Sequence, residues 1–161
     1  VQSGGTYDLK VSAQSTGKEL SHDIITVSLG ARYKLYCSNI ARTFLVDPPK
    51  SVSSTYETLL EMQEACMKVM QPGNQLKMVY KAAVKYLKES DHADLIEKLP
   101  KNLGFCQGLD FRDSTLTLNA KNNVPFRAGM VFCLSVGFQN LELTEQQVEN
   151  TPSASPVRKY H

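Results

Sequence analysis

The sequence predicts an α+β domain in which helices pack on one face of a largely antiparallel sheet. Three observations predict it. β-Branched and aromatic runs stand towards both ends of the chain, stretches of helical period fill the middle, and Gly and Pro breakers fall between these blocks. Strands and helices segregated in this way do not make the alternating pattern of a parallel sheet. The 161 residues suit one domain, and an apolar fraction of 42% is enough for a packed core.

Each element follows from its residues. Residues 1–20 are rich in Gly, Ser and Thr and read as loop with a short edge strand. Ile24 to Leu29 is β-branched and meets Gly30, so it reads as a strand with a hairpin break at Gly30-Ala31. Tyr33 to Val46 is the returning strand, ended by Asp47-Pro48-Pro49 because proline donates nothing to a ladder. Ser53 or Ser54 is placed to cap a helix, with Glu57 as the capping-box partner of Ser54. Tyr56, Leu59, Leu60, Cys66, Met67 and Met70 then recur at helical spacing until Pro72-Gly73. A second helix puts Leu76, Val79, Tyr80, Ala83, Val84 and Leu87 on one face, and a shorter one covers Ala93 to Lys98. Leu103–Phe111, Leu116–Leu118 and Met130–Phe138 are the later strands, with turns at Asn122-Asn123 and Ala128-Gly129. Gly104 and Gly108 inside a strand imply a bulge or a close backbone approach. From Glu142 the chain is polar, so the expected division is a domain over 1–141 and a loop or tail over 142–161.

Composition removes several function classes. The formal charge is +2 without a basic stripe, so direct DNA binding is not indicated. Ile24 to Val27 and Met130 to Val136 are the longest apolar runs and are far too short to cross a bilayer, and no secretory h-region is present. Cys37, Cys66, Cys106 and Cys133 make no CxxC pair and have no His at zinc spacing, so they are expected to be buried thiols. Lys77, Lys81, Lys85 and Lys88 lie on a helix face away from the apolar stripe and are expected to be solvated.

Three separated motifs carry a resemblance. Ser28-Leu29-Gly30-Ala31-Arg32-Tyr33, then Tyr36 to Phe44, then Ala128-Gly129-Met130-Val131-Phe132, resemble the pita-bread family of methionine aminopeptidases and creatinases. The resemblance implies a pita-bread fold, here a partial one, over nearly the whole chain. Active members bind two divalent metals through two Asp, one His and two Glu, because two close cations need several anionic oxygens before they can activate a water. At the positions matching four of these ligands the chain has Ser28, Asn39, Phe105 and Ser135; the fifth lies beyond its end. Neutral Ser and Asn are weak ligands for such metals, and Phe offers no lone pair. The resemblance therefore implies no metal cofactor and a degenerate, non-catalytic site.

A second set of motifs narrows the branch. Asn102-Leu103-Gly104-Phe105, Gly108 to Arg112, Leu118 to Asn122 and Val136 to Leu141 resemble a non-catalytic branch of the family, the N-terminal domain of the large subunit of a histone chaperone complex. This implies a protein of the nucleus and chromosome, with core histones and an HMG-box subunit as partners. The remaining readings are an active metal-dependent aminopeptidase and a pseudo-peptidase that works outside chromatin. Asn39, Phe105, Arg112 and Ser135 are the expected residues of a peptide cleft. For each a plainer role stands beside it: Asn39 as a relic of a ligand position, Phe105 as core, Arg112 as the ion-pair partner of Asp110 or Asp113.

Overall fold

The computed structural model describes residues 1–141 apart from 6, 11, 16, 18, 91 and 140; the expected tail over 142–161 lies outside the described residues. Strand β1 (Gln2–Ser3), β2 (Ile24–Tyr33) and β3 (Tyr36–Leu45) form one antiparallel sheet in the order β1-β2-β3. Helices α1 (Lys50–Val69) and α2 (Lys77–Glu89) follow, then a 3-10 helix over Ala93–Lys98. Strands β4 (Asn102–Cys106), β5 (Thr117–Asn119) and β6 (Phe132–Leu134) make a second antiparallel sheet in the order β5-β4-β6. The order of blocks and the antiparallel pairing are as expected; the strands divide between two sheets of three.

The core sits between the two helices and the second sheet. Met62 and Cys66 of α1, Leu76 before α2, and Val79, Ala83 and Leu87 of α2 have no solvent exposure, and they cluster with Leu103 of β4 and Leu118 of β5. The 3.6-residue period of both helices thus directs one stripe of each inward. Leu60 and Met67, counted in the apolar stripe of α1, instead point outward at 44% and 50% exposure. Burial raises the Cys66 thiol to about 11. Cys37, Cys106 and Cys133 are only partly buried, so the expectation of four buried thiols holds for Cys66 alone.

Several boundaries differ from those expected, each for a local reason. Strand β2 runs through Gly30, and the hairpin turns at Lys34-Leu35, both at positive φ (44° and 74°), with Tyr33 paired to Tyr36. This is the two-residue turn whose twist matches that of the flanking strands. Helix α1 begins directly after Pro49, and no side chain caps it. Ser51 and Ser54 lie inside the first turns, where their carbonyls accept the hydroxyls of Thr55 and Thr58, so the capping box of Ser54 and Glu57 does not form. Proline at the helix start leaves one donor fewer to satisfy, which reduces the need for a cap. Strand β4 stops at Cys106 because the chain folds back: Gly108 N–H donates to the Asp110 carbonyl and Asp113 N–H to that of Cys106. Gly108 is therefore in a loop. Strand β5 is shifted by one residue, and β6 is shorter than the Met130–Phe138 run.

Gly104 meets the expected close approach. Its φ is +147°, the register shifts between Asn102 and Phe105, and a Cβ there would lie 2.1 Å from the Cys133 carbonyl oxygen. Only glycine lets β6 pair so closely at this point.

Candidate functional site

Alternation along the β2–β3 hairpin gives it two chemically different faces. Register pairs Ile25 with Phe44, Leu29 with Ile40 and Tyr33 with Tyr36 on one face. The other face carries Thr26, Ser28, Asn39, Ala41 and Thr43, all small or polar. It forms one wall of a groove of about 520 Å³, which Tyr56 and Gln63 of α1 and Ser135 also line. The groove therefore lies between the edge of β3 and the chain leaving β6.

Two latches fix that edge. Near the turn, Cys37 N–H donates to the Gly108 carbonyl at 2.8 Å, and Gln107 Nε2 donates to the Cys37 carbonyl at 3.1 Å. At the other end, the Tyr56 hydroxyl donates to the Thr43 carbonyl at 3.4 Å. Between them the backbone of Asn39 and Ala41 faces the groove, where the Ala41 carbonyl accepts a 2.7 Å bond from Arg42 Nη1.

The structure brings three of the five singled-out positions together. Ser28 and Asn39 are diagonal neighbours on one face of the hairpin, paired with Ala41 and Gly30 respectively, and Ser28 Oγ is 3.5 Å from Asn39 Oδ1. Ser135, held by its N–H bond to the Leu103 carbonyl (2.8 Å), lines the same groove. Phe105 and Arg112 do not line it. Phe105 is 4% exposed, its ring 5.9 Å from that of Phe111, and the Arg112 guanidinium lies 5.5 Å above its centroid. Arg112 thus stacks on an aromatic face; the ion pairs among the described residues are Lys10–Asp8 and Lys85–Glu89, and neither involves Asp110 or Asp113. Asp113 has a different task. Its Oδ1 accepts the Thr115 N–H and hydroxyl and the Leu116 N–H, which holds the carboxyl below its ordinary range.

The donor set does not fit a pair of divalent cations. Ser28, Asn39 and Ser135 offer two hydroxyls and an amide, and Phe105 offers a ring. Among the described residues Asp8 is the one carboxylate lining the groove, and it is engaged with Lys10. Among the described residues no three His, Cys, Asp or Glu side chains gather. Neutral oxygens alone would leave most of the charge of two dications uncompensated.

Sequence reasoning missed Thr26, Thr43, Tyr56, Gln63 and the Gln107 latch. The run of small and polar residues at alternate hairpin positions was the available signal for the first two; the others depend on long-range packing.

A split pair of antiparallel sheets, a helix pair over the second and a groove flanked by the hairpin define a peptidase-like architecture. The model of Metallopeptidase family M24 matches residues 1–153, and the chain belongs to that family. Within it the chain is similar to the FACT complex subunit SPT16. The Debaryomyces hansenii subunit of that name is 45% identical over 143 residues, covering 88% of this chain and 14% of its own length. The solved N-terminal domain of FACT complex subunit SPT16 from chickpea superposes with a TM-score of 0.86 at 45% identity, over 93% of this chain and 36% of that one. The X-Pro aminopeptidase of Thermotoga maritima superposes at 0.66 with 25% identity, over 74% of this chain and 33% of that one. The pita-bread fold and the branch expected from the motifs are both borne out. The chain spans about a seventh of the length of the curated relatives it matches.

Proposed function

We propose that this chain is a non-catalytic, protein-binding part of a histone chaperone that acts on nucleosomes during transcription and replication. In this reading it works in the nucleus on the chromosome, uses no metal, and has core histones and an HMG-box subunit as partners. The observation that carries the reading is the neutral donor set at the ligand positions: Ser28, Asn39 and Ser135 stand where the family resemblance places metal-binding carboxylates, and the branch resemblance points to chromatin. A groove beside a strand edge suits an extended peptide, bound through backbone hydrogen bonds that need no metal. Asn39 and Ser135 are its polar anchors. Arg112, stacked on Phe105 outside the groove lining, serves the segment around β4 and contributes less to binding.

Calorimetry with cobalt and manganese, together with titration of a histone tail peptide, tests this reading. The expected result is no stoichiometric uptake of metal and peptide affinity of about tens of micromolar. Asn39→Ala weakens the peptide more than Arg112→Ala does. Uptake of two metal ions per chain, lost in Ser135→Ala, would overturn the non-catalytic reading. Peptide affinity indifferent to Asn39→Ala would move binding away from the groove.

A further inference from the structure

The exposed side of α2 carries a second surface, separate from the groove. Lys81, Lys85 and Lys88 are exposed, at spacings of four and three residues that place them on one side of the helix. Over the axis they span about 10 Å. Tyr80 and Val84, partly buried against the core, lie beside them and form the apolar floor of a shallow depression of about 510 Å³. Among the described residues its one carboxylate, Glu89, is 3.7 Å from Lys85, and both side chains are well exposed. Such a surface pair contributes little and yields readily to another carboxylate. On the flank towards α1, the Tyr86 hydroxyl donates to Glu61 and ties the two helices together. The lysine row is therefore on the side of α2 that this contact leaves open.

We propose that this face docks an acidic segment of a partner protein that carries one aromatic or branched aliphatic side chain between its carboxylates. The ammonium row supplies charge complementarity, and the Tyr80–Val84 floor supplies a place for the apolar group. The floor distinguishes such a peptide from a nucleic-acid duplex, which would use the charges and leave the apolar surface uncovered. It also distinguishes the partner from a histone tail, whose positive charge this row would repel. The surface thus gives the chain a second class of partner.

The test uses the 161-residue chain and a fluorescent peptide of Asp and Glu with one central Phe, followed by polarisation at low and at physiological salt. Binding is expected, weaker at the higher salt. The K81A/K85A/K88A variant loses about tenfold or more in affinity, since three exposed ion contacts go together. The K81R/K85R/K88R variant, which keeps the charges, retains binding, and unchanged circular dichroism of both variants excludes unfolding as the cause. Replacing the probe's Phe by Ala weakens it about threefold or more through lost apolar burial. The proposal is overturned if the alanine variant binds as the parent does, or if the Phe-to-Ala probe binds equally well. It also fails if an oligothymidylate of equal charge binds more tightly than the peptide.

Discussion

The β2–β3 hairpin and the helical half of the chain are built on opposite terms. Neither ten-residue strand of the hairpin has a single buried residue, whereas α1, α2 and β4 contribute three each. Leu29, Tyr33, Tyr36 and Phe44 are more than half exposed, while Met62, Leu87 and Leu118 are wholly enclosed. Stability is thus concentrated around α2, and one wall of the groove is carried by a hairpin held through pairing, a tight turn and two latches. The difference shows that the chain's site chemistry can vary without touching its core. Ser28 and Asn39 fill their positions with no packing consequence for Leu87 or Leu118.

The comparison breaks most sharply at Gly104. Gly104→Ala sets a Cβ against the Cys133 carbonyl at a positive φ, and this nearest atom is backbone, which cannot yield as the tip of a side chain can. A loss of about 4 kcal/mol or more is expected, in the range reserved for specific steric failures. Urea unfolding measures it, and an unchanged midpoint would show that β6 can move away freely.

Next come paired truncations. Leu118→Ala in the core is expected to cost about 3 kcal/mol through lost burial and the cavity left behind. Leu29→Ala in the hairpin should stay within about 0.5 kcal/mol, as for exposed sites. Equal losses would mean that the outer hairpin face is covered in solution.

The turn offers a change of the opposite sign. Lys34 and Leu35 both sit at positive φ, where side chains are disfavoured by roughly 1–2 kcal/mol per residue. Replacing the pair with Asn-Gly, the residues this turn prefers, should stabilise by about 1 kcal/mol and slow amide exchange in β2 and β3 without altering that in α2. Protection gained equally in α2 would join the two regions into one cooperative unit.

The smallest effect is expected at Asp113. Its carboxyl is held below the ordinary value of 3.8 by the Thr115 hydroxyl and N–H groups. A lowered folded-state value means that its contribution is present above pH 3.8 and is lost as pH falls through the lower folded value. Asp113→Asn keeps an acceptor for the same N–H groups but loses the charge, so it should lower thermal stability slightly above pH 4, flatten the acid limb and converge with the parent at the acid end. An identical acid limb in the two proteins would refute the assignment.

The helices were legible because burial obeys their period: Val79, Ala83 and Leu87 stand at intervals of four and all have zero exposure. The hairpin was legible as an element and misread at its tip. Gly30 looks like a break, yet a Cβ there would meet nothing nearer than the Ser38 carbonyl at 3.6 Å, so neither its φ nor its surroundings need glycine. The true turn uses Lys and Leu, which have no local preference for left-handed backbone; strand twist imposes it. In the groove, the juxtaposition of Ser28 and Asn39 follows from hairpin pairing. The nearness of Ser135 arises from β6 folding against β4, which no local pattern announces, and only the family resemblance led to it. Phe105 was placed beside the same groove by that resemblance, but the packing of Phe111 and Arg112 keeps it out of the lining.

The Lys34-Leu35 turn also has an informational role. Side chains alternate between faces, so one extra residue at the tip would turn every side chain of β3 over. The wall that now shows Asn39, Ala41 and Thr43 would show Ser38, Ile40, Arg42 and Phe44 instead. A wall of small hydrogen-bonding residues would become one of bulky apolar and charged side chains, with no change in composition elsewhere. The loop is therefore a phase marker for the strand that follows. Its length decides which of two surfaces written into the same ten residues faces the groove, so insertions there should change the chemistry of that wall far more than they change how firmly the chain folds.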